Sequence, residues 1–154
     1  MAVSICIDGD SMTEVDNKNL VTRLYEEGWG QGNLNVFDEV FAPQHVLHWN
    51  ELTPSDQKRT VVELKAIVKA YRNAFPDLKV EVDNMVAEGD KVAVQVTFSG
   101  THERPYEGFQ PTHRQSRFTD MQILTFSGGK ICESSIGSGG LGYFYQILTG
   151  EVFK

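Results

Sequence analysis

The stretch "AYRNAFPDLKVEVDNMVAEGDKVAVQVTFSGTH" (Ala70–His102) changes its periodicity at Pro76. Up to that proline the apolar residues Val61, Leu64, Val68, Tyr71 and Phe75 recur at helical spacing. Thr60 and Glu63 form a capping-box pattern at the start of this helix, each side chain satisfying an N–H that the first turn leaves open. Beyond Pro76 the period is two. Leu78, Val80 and Val82 alternate with Lys79, Glu81 and Asp83, the turn "EGD" (Glu88–Asp90) follows, and Val92, Val94, Val96 and Phe98 share one face of the next run. A helix that hands over to a half-buried hairpin places the helical and sheet halves of the chain on either side of this point.

Working toward the N-terminus, Leu20, Val21, Leu24, Tyr25 and Trp29 predict a helix with Asp16 as N-cap and Gly30 and Gly32 as stops. A shorter helix from Asn33 turns Leu34, Phe37, Val40 and Phe41 inward and ends at Pro43. "HVLHWNEL" (His45–Leu52) reads as a strand and "TPSDQKR" as a loop. Toward the C-terminus, a loop holding Pro105, Gly108 and Pro111 precedes a long strand, "RQSRFTDMQILTF". "SGG" turns this strand into "KICESSI", and after a Ser/Gly-rich corner the chain closes with a helix, Leu141–Leu148. Residues 1–15 read as a leader or edge strand and 16–154 as a single domain. Helices grouped ahead of antiparallel strands mean α+β. The expected architecture is a cone-shaped barrel of a strongly curved antiparallel sheet, with three N-terminal helices on its concave face and a short C-terminal helix. Such a cone encloses a cavity suited to a small apolar ligand.

The totals exclude several classes. A net charge of −7, with no basic cluster beyond the loose set Arg104, His113, Arg114 and Arg117, argues against nucleic acid and anionic membranes as partners. No apolar run is long enough to span a bilayer, and nothing near the start resembles a signal peptide. Cys6 and Cys132 are too few for a disulfide framework. The expectation is a cytoplasmic protein with both thiols reduced.

The segments "NKNLVTRLYEEGWGQGNLNVFDEVFAPQHVLHW", "AYRNAFPDLKVEVDNMVAEGDKVAVQVTFSGTH", "GFQPTHRQSRFTDMQILTFSGGKICE" and "LGYFYQI" follow one another over roughly Asn17–Leu148. In that order they resemble the SnoaL-like polyketide cyclases, within the nuclear-transport-factor-2-like α+β superfamily that includes ketosteroid isomerase. The resemblance implies a homodimer formed through the outer sheet face. It also implies an acid/base aspartate beyond the "GKI-x-E" strand, preceded by a His-Trp pair. Here those positions are Gly139 and, for the pair, Ser134 and Ser135. The usual proton carrier is therefore missing from its usual place.

Replacement chemistry has two candidates. His48 matches the family's frequent histidine on the early strand, and a histidine is a residue type suited to general acid or base work; the plainer role is a hydrogen-bonded histidine at the core rim. Asp120 shares a strand face with Phe118, Gln122, Leu124 and Phe126, where an acid must be paired or have a raised pKa; the plainer role is a polar position at an interface. Asn50, Gln122 and Ser135 are candidate donors to a developing oxyanion. Tyr25, Trp29, Tyr71, His102, Phe109 and Arg117 complete the candidate ligand-binding set, with "ERPYEGFQPT" as a lip over the cavity mouth. The histidine spacing is not a zinc pattern, and no cofactor or metal is expected. These residues point to a small cofactor-free cyclase or isomerase acting by acid/base chemistry on a hydrophobic, polyketide- or terpenoid-like carbonyl compound. One alternative is a dimeric domain that binds such a molecule without catalysis. Another is epoxide hydrolysis, for which Arg117 and Asp120 supply only part of a carboxylate–arginine–carboxylate set.

Overall fold

A computed structural model describes residues 12–49, 57–137 and 148–149. Thr60 caps α3 (Val61–Ala74) as its sequence requires: the Glu63 N–H donates to Thr60 Oγ1 at 3.3 Å and the Thr60 N–H to Glu63 Oε2 at 2.7 Å. Val61, Val68, Tyr71 and Ala74 of this helix are buried, and Phe75 beyond it is fully buried. The far end is closed by the chain that follows β4, since the N–H groups of Glu103 and Arg104 both donate to the Ala74 carbonyl.

The first helix, α1 (Glu14–Arg23), starts earlier than expected. Thr13 is its N-cap, accepting from the Asp16 N–H at 3.1 Å, so Asp16 is the third residue of a capping box and not the cap. Leu24–Gly30 then continues as a π-helical stretch, in which the Gln31 N–H reaches back to Glu26 O at 3.1 Å. Arg72 of α3 holds its end by donating to the carbonyls of Trp29 and Gly30 at 2.7 and 2.6 Å. Gly28 is required by close packing here, because a Cβ would sit 2.9 Å from the Phe37 ring. Phe37 belongs to α2 (Asn35–Val40), which is shorter than its apolar pattern suggested. Phe41 is already extended and opens β1 (Phe41–Trp49).

Six strands form one sheet in the order β2-β1-β6-β5-β4-β3. β2 (Gln57–Thr60) was expected as loop; it is a short polar edge strand with no alternation to betray it, paired antiparallel to β1. β3 (Lys79–Glu88), β4 (Lys91–Thr101), β5 (Gln115–Ser127) and β6 (Lys130–Gly137) form the antiparallel meander. β1 joins it parallel to β6, across the helical half of the fold. Register shifts at Val82/Asn84, Thr125/Phe126 and Phe41/Val46 mark bulges, which bend a strand and increase its twist. The sheet is thus curved but not closed, with β2 and β3 as its edges. The helices pack over its concave side, and Val92, Val94, Val96, Phe98, Leu124, Phe126 and Ile131 meet them in the core. Of the closing helix only Leu148 and Thr149 are described, and Leu148 is buried in the same core.

Cys132 is disulfide-bonded, which corrects the expectation of two reduced thiols; a cysteine count carries no geometry, and a bond depends on which Cβ atoms meet. The chain's other cysteine, Cys6, lies outside the described residues, as does the leader up to Ser11. Cysteine usage therefore gives no support to a reducing compartment. Among the described residues no helix is long and apolar enough to cross a membrane.

Candidate active site

β5 carries the polar heart of the site. Phe118, Asp120 and Gln122 alternate along its concave face and line a cavity of about 220 Å³ between sheet and helices. Ser134 and Ile136 line it from β6, and Phe41, His45 and Leu47 from β1. From the helical side come Leu24, Tyr25 and Trp29 of the π-helical stretch and Leu64, Ile67 and Tyr71 of α3. A π-helical turn re-aims side chains relative to a regular helix and is frequent at functional sites. Here both Tyr25 and Trp29 reach the same cavity.

The walls are mostly aromatic. The rings of Phe98 and Phe118 stack at 5.3 Å and 10°, while Trp29 stands edge-on to Phe98 at 5.4 Å and to Tyr71 at 6.1 Å. Tyr106 covers one side, edge-on to Tyr71 at 5.6 Å. It is held by a tight turn in which Tyr106 and Phe109 exchange backbone hydrogen bonds of 3.0 and 2.8 Å. Glu107 and Gly108 between them have φ values of 49° and 85°, the left-handed pair a two-residue hairpin needs. The expected lip exists, but its cavity contact is Tyr106; Phe109 packs on the core without lining the cavity.

Asp120 is half-buried and accepts a hydrogen bond from Gln122 Nε2 at 3.1 Å. Tyr25 lies near enough to feel it: burial pushes the phenol pKa up, and the Asp120 charge pushes it further. The hydroxyls of Tyr71 and Tyr106 are also raised by burial, Tyr106 to about 12. All three therefore stay protonated near neutrality and serve as hydrogen-bond donors, not bases. His45 is 1% exposed, and burial lowers its pKa to about 4, against the opposing pull of the Arg59 backbone carbonyl. Its Nδ1 has no hydrogen-bond partner among the described residues. It enters the site as a neutral imidazole.

The histidine brought to the cavity is thus His45, where His48 was expected. His48 lies on the opposite face of β1, with Nε2 3.3 Å from Glu133 Oε2. Alternation puts the two histidines on different faces, and nothing local chooses between them, since Leu47 shares the face of His45 and the equally apolar Val46 that of His48. The same parity separates Ser134, buried in the cavity wall, from Ser135, which sits beside His48 in register on the outer face. Arg117 is also on the outer face, mostly exposed and 3.7 Å from Glu81, in a shallow polar groove with Lys79 and Ser99. It is not brought to Asp120, so the partial set for epoxide opening is not assembled.

His102 is wholly buried outside the cavity. Its ring stacks on Phe75 at 5.3 Å, its Nδ1 accepts from the Thr112 N–H at 3.3 Å, and burial lowers its pKa. It ties the lip to the helix, which is a structural task. Tyr25, Trp29, Tyr71, Asp120 and Gln122 are the expected residues that do converge. Asn50 and Gly139 lie outside the described residues. Among the described residues no three His, Cys, Asp or Glu side chains gather as metal ligands would.

A family model described as SnoaL-like polyketide cyclase matches residues 19–147. Among solved structures, a SnoaL-like protein of Jannaschia sp. CCS1 with a polyketide cyclase assignment is 24% identical with a TM-score of 0.77, covering 93% of this chain and 99% of its own. A protein of Acidithiobacillus ferrooxidans, also assigned as a polyketide cyclase, is 27% identical with a TM-score of 0.71, over 86% and 94% of the two chains. IdmH of Streptomyces antibioticus, assigned likewise, is 25% identical with a TM-score of 0.69, over 85% and 97%. No curated protein matches.

Proposed function

The chain belongs to the SnoaL-like polyketide cyclase family, and from that premise we propose a cofactor-free cyclase or isomerase acting on a small hydrophobic carbonyl compound. The observation that carries the reading is the Asp120–Gln122 pair, 3.1 Å apart, set in a cavity lined otherwise mainly by aromatic and aliphatic side chains, Tyr25 among them. Family membership supports a cyclase or isomerase kind of function.

Asp120, ionised, takes a proton from the carbon beside the substrate carbonyl. The C–H electron pair becomes the enolate C=C bond and the carbonyl π pair moves onto oxygen. Tyr25, which stays protonated, donates to that oxygen, where a donor fixed in a water-poor site is worth most. Gln122 holds the carboxylate in place through Nε2. In an isomerase the Asp120 carboxyl returns the proton to a different carbon. In a cyclase the enolate carbon attacks a second carbonyl of the same molecule, and the new alkoxide takes the proton. The balance needs no oxidant, metal or cofactor. His48, held at Glu133 on the far face, has no part in it.

The test is exchange of α-protons for deuterium in a small cyclic ketone, followed by NMR. Wild-type protein is expected to accelerate the exchange, and Asp120→Asn to lose roughly 10²–10⁴-fold, the usual share of a general base. An Asp120→Asn variant that exchanges as fast as wild type would remove the assignment. A cavity that binds without catalysis remains the second reading, since most wall residues carry no acid/base group; it is separated by ligand binding with no exchange at all.

Self-association through the outer sheet face belongs to the same proposal. Met121 and Ile123 point outward from β5, 56% and 49% exposed. Paired Asp substitutions at these two positions are expected to yield monomers in sedimentation velocity, and an unchanged mass would exclude this face.

A further inference from the structure

Taking the cavity as the active site, as proposed above, we infer that its substrate is a flat, uncharged molecule of one or two fused rings, with its carbonyl or phenolic oxygen at the Asp120–Gln122 end. Size comes first. The cavity holds about 220 Å³, more than the roughly 150 Å³ that accommodates a benzene ring and less than the about 300–1,000 Å³ usual for drug-sized ligands. A third fused ring therefore has no room without displacing wall residues, and those residues are anchored. Phe37 packs against Gly28 too closely to admit a Cβ there, and Tyr71 is stacked on fully buried Phe75 at 4.7 Å.

Shape and charge narrow the class further. Trp29, Tyr71, Phe98, Tyr106 and Phe118 bring their rings to the cavity, surroundings in which a planar aromatic ring system finds offset-stacked and edge-to-face partners. The described lining contains a carboxylate, Asp120, and no lysine or arginine. A carboxylate or phosphate brought inside would lose its hydration with no cation in the described lining to meet it and with Asp120 to repel it. The chain's net charge of −7 acts in the same direction at longer range. The substrate consequently enters as a ketone, phenol or ester, and an acidic precursor must first be masked or decarboxylated by a separate reaction.

Isothermal titration with four probes tests this on the full chain: phenol, 2-naphthol, 2-naphthoate and the three-ring ketone anthrone. 2-Naphthol is expected to bind tightest, with phenol weaker. 2-Naphthoate and anthrone should each fall at least about tenfold below it, the scale on which a pocket rejects an ill-fitting or unpaired group. Asp120→Asn should raise 2-naphthoate affinity toward that of 2-naphthol, and Phe118→Ala should admit anthrone. Should Phe118→Ala not fold, Ile136→Ala opens the same wall from β6. Anthrone or 2-naphthoate binding within about threefold of 2-naphthol, or no binding by any probe, overturns the inference. The readout is binding alone, so the ligand class can stand if α-proton exchange fails, and the exchange can stand if the size order fails.

Discussion

His45 and His48 stand on the same strand, three positions apart, and meet opposite surroundings. His45 is buried against the cavity beside the Phe41 ring at 5.0 Å, with its pKa pushed down to about 4. His48 sits on the other face with Glu133 as neighbour. β5 repeats the contrast: Asp120 and Gln122 line the cavity, while Arg117, Met121 and Ile123 face outward. In both strands alternation splits the polar residues: His45 and Asp120 face the cavity, His48 and Arg117 the other side. Residue chemistry nominates; the curvature of the sheet selects, because only its concave side is closed by helices and made poor in water.

Breaking that contrast gives the largest effect first. Asp120→Asn should cost about 3–5 kcal/mol of transition-state stabilisation in the exchange assay, whereas Arg117→Gln on the same strand should leave the rate within about twofold. Equal losses in both would mean that the cavity face is not where the chemistry occurs.

His45 sharpens the contrast through pH. Its folded pKa lies below its unfolded value of 6.5, so the unfolded chain binds the extra proton first. Stability is therefore lost as pH falls from about 6.5 toward about 4, by about 3 kcal/mol at most. Urea titrations across that range measure it. His45→Phe should flatten this part of the profile, and a profile that His45→Phe leaves unchanged would show that the imidazole is not held neutral.

Smaller effects are expected away from the cavity. Thr60→Ala, which removes one half of the α3 capping box, should cost about 1 kcal/mol in the same titrations. His48→Ala should cost about 1 kcal/mol or less, the usual net worth of one hydrogen bond, and leave α-proton exchange intact. Loss of exchange in His48→Ala with unchanged stability would return the catalytic role to that face.

Several elements were legible because local physics decided them. Thr60 and Glu63 start α3 and Pro76 stops the chain from continuing it; Val92, Val94, Val96 and Phe98 are all buried on one face of β4, as their spacing demands. β2 was not legible, because four polar residues become a strand only when β1 lies alongside them. The parallel pairing of β1 with β6 is equally invisible in local pattern, since it joins residues some ninety positions apart, such as His48 and Ser135. The π-helical stretch gave no signal either. It rests on Arg72 reaching from another helix to the carbonyls of Trp29 and Gly30.

The α+β order, the start and end of α3, and the sharing of strand faces follow from the chain alone, because side-chain alternation and capping act over a few residues. Which of the two faces lies inside is settled by long-range packing. That choice depends on where the helices land and how the bulges bend the sheet, and it separated His45 from His48, Ser134 from Ser135, and Asp120 from Arg117.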